Sequence, residues 1–413
     1  MLISRRALGL SVLAASLGGA VSGCSLLRGD EQDATPSDDN ALTVLVDPAG
    51  SAQSTAVQEA VEAFTKDSGI QVTLQVTRDP RGEMAAGLAS QGGADVVHLT
   101  PDLLAAYAQA GSLNAYTESV EGATDLHPAL VANATYEGAV YGVPTDFSTL
   151  ALYINSSMWQ AAGLTEADYP TTWEALRAVS SALSGEQDGA QVSGLALSPQ
   201  YARLGAFMVQ AGGGLTDAQG AITAASEGSV AGLNEVKELL GSGATLATDL
   251  DANSGAEAFS MGQAAMTIEP TEFAATLAAD HPDLAHIVVE LPQGPVGKGT
   301  LLFARYYAVA ESSPRKKEAI SLISYLSAAE RQLALASAAG TIPASTSATQ
   351  TWTGEHPELK AFATGAEYAV GMPVLAGSSD AIASLDDQLT GLAEADPQAI
   401  LSATQVDLEA ASA

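Results

Sequence analysis

The chain has 413 residues, with 48 Asp and Glu against 16 Lys and Arg and a formal net charge of −32. A surface of that sign repels nucleic acid and anionic lipid headgroups, so neither is an expected partner. The single cysteine, Cys24, rules out an intramolecular disulfide, and the fold must stand on its apolar core alone.

Residues 1–23 read as a signal peptide. Arg5 and Arg6 give a charged start, and residues 7–21 form a small and apolar run too short to span a bilayer comfortably. Losing both arginines with this leader leaves 14 basic against 48 acidic side chains, a net charge of −34. Val21-Ser22-Gly23-Cys24 resembles the lipobox of bacterial lipoproteins, where cleavage exposes the cysteine for acylation. Residues 24–40 are then a lipidated acidic tether, too poor in large apolar groups to order itself, with a reach of roughly 20–25 Å.

From Ala41 on, strands and amphipathic helices alternate, which predicts an α/β fold. ALTVLV (41–46) reads as a strand, and 54–68 as a helix with Val57, Val61 and Phe64 at helical spacing. IQVTLQV (70–76) alternates strictly, placing Ile70, Val72, Leu74 and Val76 on one face. A short helix over 82–90 and a buried strand over 94–99 (ADVVHL) follow. Pro101 then opens a helix with Thr100 placed to cap it. Residues 140–155 carry a turn and a strand, and 171–183 a helix capped by Thr171 or Thr172. Further helices are predicted over 230–240, 314–338 and 379–393, and Asp396-Pro397 starts the last. About 370 residues beyond the tether exceed a single core and predict two lobes.

Seven stretches carry a resemblance. They are GADVVHLTPDLLAAYAQAGSL (93–113), GAVYGVP (138–144), LYINSSMWQAAGL (152–164), PTTWEAL (170–176), FSMGQAAMTI (259–268), ELPQG (290–294) and GTIPA (340–344). In order and spacing they resemble the family 1 extracellular solute-binding proteins, the maltose-binding-protein-like components of ABC transporters. The resemblance implies a type II periplasmic-binding-protein fold, two discontinuous α/β lobes with a ligand cleft between them. Lobe 1 is expected over 41–146 and 304–345, and lobe 2 over 147–303 and 346–413, with crossings near Asp146, Phe303 and Ser345. The implied function is delivery of a small polar solute, a sugar or polyol, to ABC permease subunits. The protein would be a monomer held on the outer face of the membrane by Cys24 alone, with no cofactor and no metal. Other readings of the chain are a ligand-sensing lipoprotein of the same fold and a surface carbohydrate-active enzyme.

Carried over residue by residue, the resemblance places the ligand against Leu99, Thr100 and Asp102 after the ADVV strand, and against Asp146, Phe147 and Ser148 at the first crossing. It adds Tyr201 and Arg203 after Pro199, Glu269, Glu272 and Phe273 after the AMTI strand, and Arg305 and Tyr306 at the second crossing. Carboxylates suit sugar hydroxyls because each accepts several hydrogen bonds. Structural readings stand beside these: Asp102 as a helix-start acid, Asp146 as a turn residue, Phe147 and Phe273 as core, Arg305 as the ion-pair partner of Asp146 or Glu269. Where maltodextrin sites stack aromatic rings, this chain has Leu99, Glu272 and Ile382.

Enzyme motifs fail on particular residues. GPVGKGT has Pro292 and Gly299 where a P-loop needs Gly and Ser or Thr. The calcium-loop-like DLDAN is followed by Ser254 and Ser260 where Gly and Glu are required. His98, His127, His281, His286 and His356 show no zinc spacing, and no Gly-x-Ser-x-Gly elbow occurs.

Overall fold

Eleven strands share one sheet in the computed structural model, which describes residues 41–47, 50–77, 80–89, 93–116, 120, 125–187 and 189–412. The leader, Cys24 and tether expectations lie outside these residues. In chain order the strands are β1 (Leu42–Val46), β2 (Val72–Val76), β3 (Val96–Leu99), β4 (Val143–Asn155), β5 (Leu195–Leu197), β6 (Ala244–Leu246), β7 (Met266–Pro270), β8 (His286–Val289), β9 (Thr300–Val309), β10 (Ile342–Pro343) and β11 (Ala369–Gly371). Their spatial order is β6-β5-β7-β4-β9-β3-β1-β2, with β8 and β10 also paired to β4, and β11 to β9.

The outer pairs β1–β2, β1–β3, β5–β6 and β5–β7 are parallel, while β4 and β9 run antiparallel to each other and to β7 and β3. β1 and β3 are mostly apolar and, apart from half-buried Thr43, buried, as strands covered by helices on each side must be. β2 ends the sheet. The one-face alternation expected there is not used as such: Val72 and Leu74 are half-buried and Val76 is 52% exposed, because an edge strand has a neighbour on one side only.

β4 and β9 belong to both halves of this sheet. Along β4 alternate side chains enter different cores: Leu150, Leu152 and Ile154 join the core of Trp159, Leu195, Phe207 and Leu233, whereas Ala151 and Tyr153 join that of Val44, Val96, Leu104 and Ile323. The period of two in a strand makes this division automatic.

Helices cover both faces, and those used below are α1 (Ser51–Ser68), α2 (Pro101–Gln109), α3 (Tyr201–Gln210), α4 (Glu227–Leu240), α5 (Glu272–Asp280), α6 (Ala329–Ala339) and α7 (Ser378–Leu389). α1 buries Val57, Val61 and Phe64, as its spacing predicts. Thr172 caps the helix Trp173–Leu183 by accepting from Ala175 N, and Asp396 caps the last helix. The single helix expected over 314–338 is two, Lys316–Leu326 and α6, separated at Ser327 and an extended Ala328. α3 and α4 touch backbone to backbone: a Cβ on Gly232 would stand 2.5 Å from Met208 Cα. Among the described residues no helix is long and apolar enough to cross a membrane.

Candidate functional site

The strand crossing gathers polar groups. In the β4–β9 pairing Asp146 lies opposite Arg305 and Phe147 opposite Ala304, and the register shifts between Arg305 and Tyr306, beside Pro144, which has no N–H to give the ladder. Asp146 is 5% exposed. Its Oδ1 accepts from Thr145 Oγ1 (2.5 Å) and its Oδ2 from Thr341 Oγ1 (2.8 Å). The Thr145 proton being committed to Asp146, His98 Nε2, 3.2 Å from the same hydroxyl, is the donor in that contact. Burial, and then the charge of Arg305, push the His98 pKa down to about 4 against the opposing pull of Asp146, so the ring is neutral.

Arg305 does not form the expected ion pair. Its Nη1 donates to Asp47 O at the end of β1 (2.7 Å), and among the described residues neither Asp146 nor Glu269 lies within salt-bridge distance of it. The physical reason is prior engagement: threonine hydroxyls hold Asp146, and Arg203 holds Glu269, Nε to Oε2 at 2.8 Å. Glu269 is deeply buried, which raises its pKa, and the Arg203 charge opposes the rise. Ser148 joins the halves of the cluster. Its hydroxyl donates to Glu272 Oε2 (2.7 Å) and accepts from Thr271 N (2.9 Å) at the start of α5. Burial raises Glu272, with Asp146 adding to the rise and Arg305 resisting it.

A cavity of about 330 Å³ opens beside the crossing. Thr100 and Asp102 at the start of α2, Phe303 and Ala304 on β9, Met372 and Pro373, and Ile382 and Asp386 on α7 line it. Thr100 does not cap α2 as expected; its hydroxyl turns to Asp102, donating to Oδ1 (2.6 Å), and accepts from no N–H of the first turn. Asp386 Oδ1 accepts from Tyr201 N at the start of α3 (2.6 Å). Burial raises its pKa, while the Tyr201 N–H and nearby Arg203 favour the charged form.

Of the residues singled out from the sequence, Thr100 and Asp102 line this cavity. Asp146, Ser148, Glu272 and Arg305 form the polar cluster, and Arg203 and Glu269 a separate ion pair. The other five are corrected. Leu99, Phe147, Tyr201, Phe273 and Tyr306 are core side chains. Phe273 packs on Tyr153 with ring centroids 5.0 Å apart, and Phe147 meets the His127 ring edge-on at 5.5 Å. Leu99 ends β3, Phe147 and Tyr306 lie within β4 and β9, and Tyr201 and Phe273 stand in the first turns of α3 and α5; their side chains turn inward and offer no aromatic wall. Asp386 was missed, although it stands one helical turn beyond Ile382.

An open sheet of this topology, with a cavity where strands and helix starts from both halves converge, defines a two-lobed binding protein of the type II periplasmic class. The sequence profile of the bacterial extracellular solute-binding proteins matches residues 59–364, and the chain belongs to that family. Solved structures share the fold. The GacH receptor of Streptomyces glaucescens GLA.O, known unliganded and with acarbose, is 22% identical with a TM-score of 0.75, covering 90% of this chain and 98% of that one. The cyclic α-maltosyl-1,6-maltose binding protein of Arthrobacter globiformis is 19% identical (TM-score 0.78), with the same coverage. UgpB of Mycobacterium tuberculosis, in complex with glycerophosphocholine, is 19% identical (TM-score 0.75), again with that coverage.

Proposed function

We propose that this protein is the substrate-binding component of an ABC importer and that its ligand is a small sugar. The observation that carries the reading is the cavity beside the β4–β9 crossing, whose walls come from α2 on one side and α7 on the other. A ligand touching both walls would couple its own binding to closure of the two lobes. The volume falls at the small end of the range of small-molecule sites. Two of the structural relatives named above bind saccharides by their own description, which supports a sugar over other solutes. Leu99, Glu272 and Ile382 stand where maltodextrin sites carry aromatic rings, which argues for a short ligand over a long glucan.

In this reading the lobes are 41–146 with 304–345, and 147–303 with 346–413, and Asp146, Phe303 and Ser345 mark the crossings. Cys24 carries the acyl anchor, the tether lets the globule turn outside the membrane, and ABC permease subunits receive the closed monomer. Binding rather than catalysis fits the cluster: its carboxylates are held by the chain's own hydroxyls and guanidinium.

Native mass spectrometry of freshly purified protein tests the reading. One saccharide per chain is the expected result. Ligand-free protein whose melting temperature no mono-, di- or trisaccharide raises would overturn it.

A further inference from the structure

We infer that the cavity selects its ligand by charge, that Asp386 sets the selection, and that the site admits neutral or ammonium-bearing polyhydroxylated solutes while excluding those that carry phosphate or carboxylate. The inference rests on the sugar-binding reading above and narrows it.

Among the residues lining the cavity, the ionisable ones are Asp102 and Asp386, contributed by the two facing helices. Asp102 accepts from Thr100 Oγ1, and Asp386 spends one acceptor position on Tyr201 N. A carboxylate has about four such positions, so acceptor capacity remains at Asp386 for a ligand's donors. The nearby cation is already paired: Arg203, which lies close to Asp386, forms an ion pair with Glu269 through Nε and donates to Ala202 O through Nη1, so a carboxylate offsets its charge. Phe303, Met372 and Ile382 make much of the remaining wall apolar, which strengthens the field of the two carboxylates within the cavity.

A further group asks for a ligand. Ser378, at the first position of α7, lines the cavity and is 1% exposed, and its Oγ has no hydrogen-bond partner among the described residues. A buried hydroxyl without a partner is costly. A sugar hydroxyl satisfies it and a carboxylate together, since one O–H donates and accepts at once. A phosphate offers acceptors alone, which suit Ser378 and are repelled by both aspartates.

Calorimetry on the full chain compares glucose, mannose, trehalose and maltose with their 6-phosphates, and glucose and mannose also with glucosamine and mannosamine. Wild-type protein is expected to bind at least one neutral or amino sugar roughly tenfold or more tightly than the corresponding phosphate. In Asp386→Asn the amide oxygen keeps the bond to Tyr201 N, so the melting temperature is expected to hold while that ratio falls by roughly tenfold. A phosphate bound as tightly as its parent sugar overturns the inference and leaves the sugar reading standing. A ratio unmoved in Asp386→Asn overturns the role of Asp386, leaving it as a bracing group for α3. The saccharide found by mass spectrometry or by the melting-temperature screen joins the panel with its 6-phosphate, and failure of every member to bind then overturns the sugar reading itself, a result distinct from binding without charge preference.

Discussion

Asp146 reads in the sequence as a ligand anchor, yet both of its oxygens are engaged by Thr145 and Thr341. Asp146→Ala removes two charge-assisted bonds at a buried position and is expected to cost roughly 1.5–3 kcal/mol of stability. The urea midpoint should drop with the slope unchanged, and sugar affinity should fall less than stability. Intact stability with lost affinity would return Asp146 to the ligand. His98 answers to pH. The unfolded ring takes its proton near 6.5 and the folded one near 4, so the unfolded chain binds more protons between those values. The neutral ring therefore contributes stability above pH 6.5 that is lost as pH falls toward 4. In His98→Gln, which keeps a donor for Thr145, that loss is absent. Relative to wild type the variant should gain about 2 kcal/mol between pH 7 and pH 5, measured by paired urea titrations. An offset equal at both pH values would show that His98 is not the titrating group.

Between elements, the α3–α4 contact offers a test of packing. Ala is about 1 kcal/mol better than Gly inside a helix, but a Cβ at Gly232 meets Met208 Cα and N at 2.5 Å, backbone that cannot swing aside. Gly232→Ala is expected to lower the melting temperature, through an overpacking cost of about 1–3 kcal/mol that exceeds the propensity gain. Gly354, in the helix Thr346–Glu355, has open space around its Cβ position, and Gly354→Ala should be neutral or stabilising. A Gly232→Ala protein melting no lower than Gly354→Ala would contradict the close approach. Elements with local causes were legible: β1 and β3 as apolar runs, α1 by its spacing, the capped starts at Thr172 and Asp396. The break at Ser327–Ala328 was not, since neither glycine nor proline marks it. Its cause is distant: the redirected α6 brings buried Gln332 to donate to Pro144 O and accept from Ser345 N, tying β4 to β10's exit. Site residues divide in the same way. Position after a strand singled out Asp102, which lines the cavity, but it does not tell which way a side chain turns, and Leu99, Phe147 and Tyr306 point into the core. Asp386 meets Tyr201 across 185 residues of chain, a proximity no local pattern announces.

At the scale of the whole molecule, β4 and β9 do more than frame a cavity. Leu150 N donates to Thr300 Oγ1, 150 residues further on, and the middle of the sheet consists of such pairings. One half of the sheet, β4 to β8, comes from consecutive chain and can pair as it emerges, whereas β1, β2 and β3 must wait for β9, which follows all of these strands, to supply their neighbour on the β4 side. Pairings of such long sequence separation form slowly, because loop closure must precede the contacts that reward it. That order leaves β1 to β3 without their inner neighbour until β9, the later of the two long strands, has arrived.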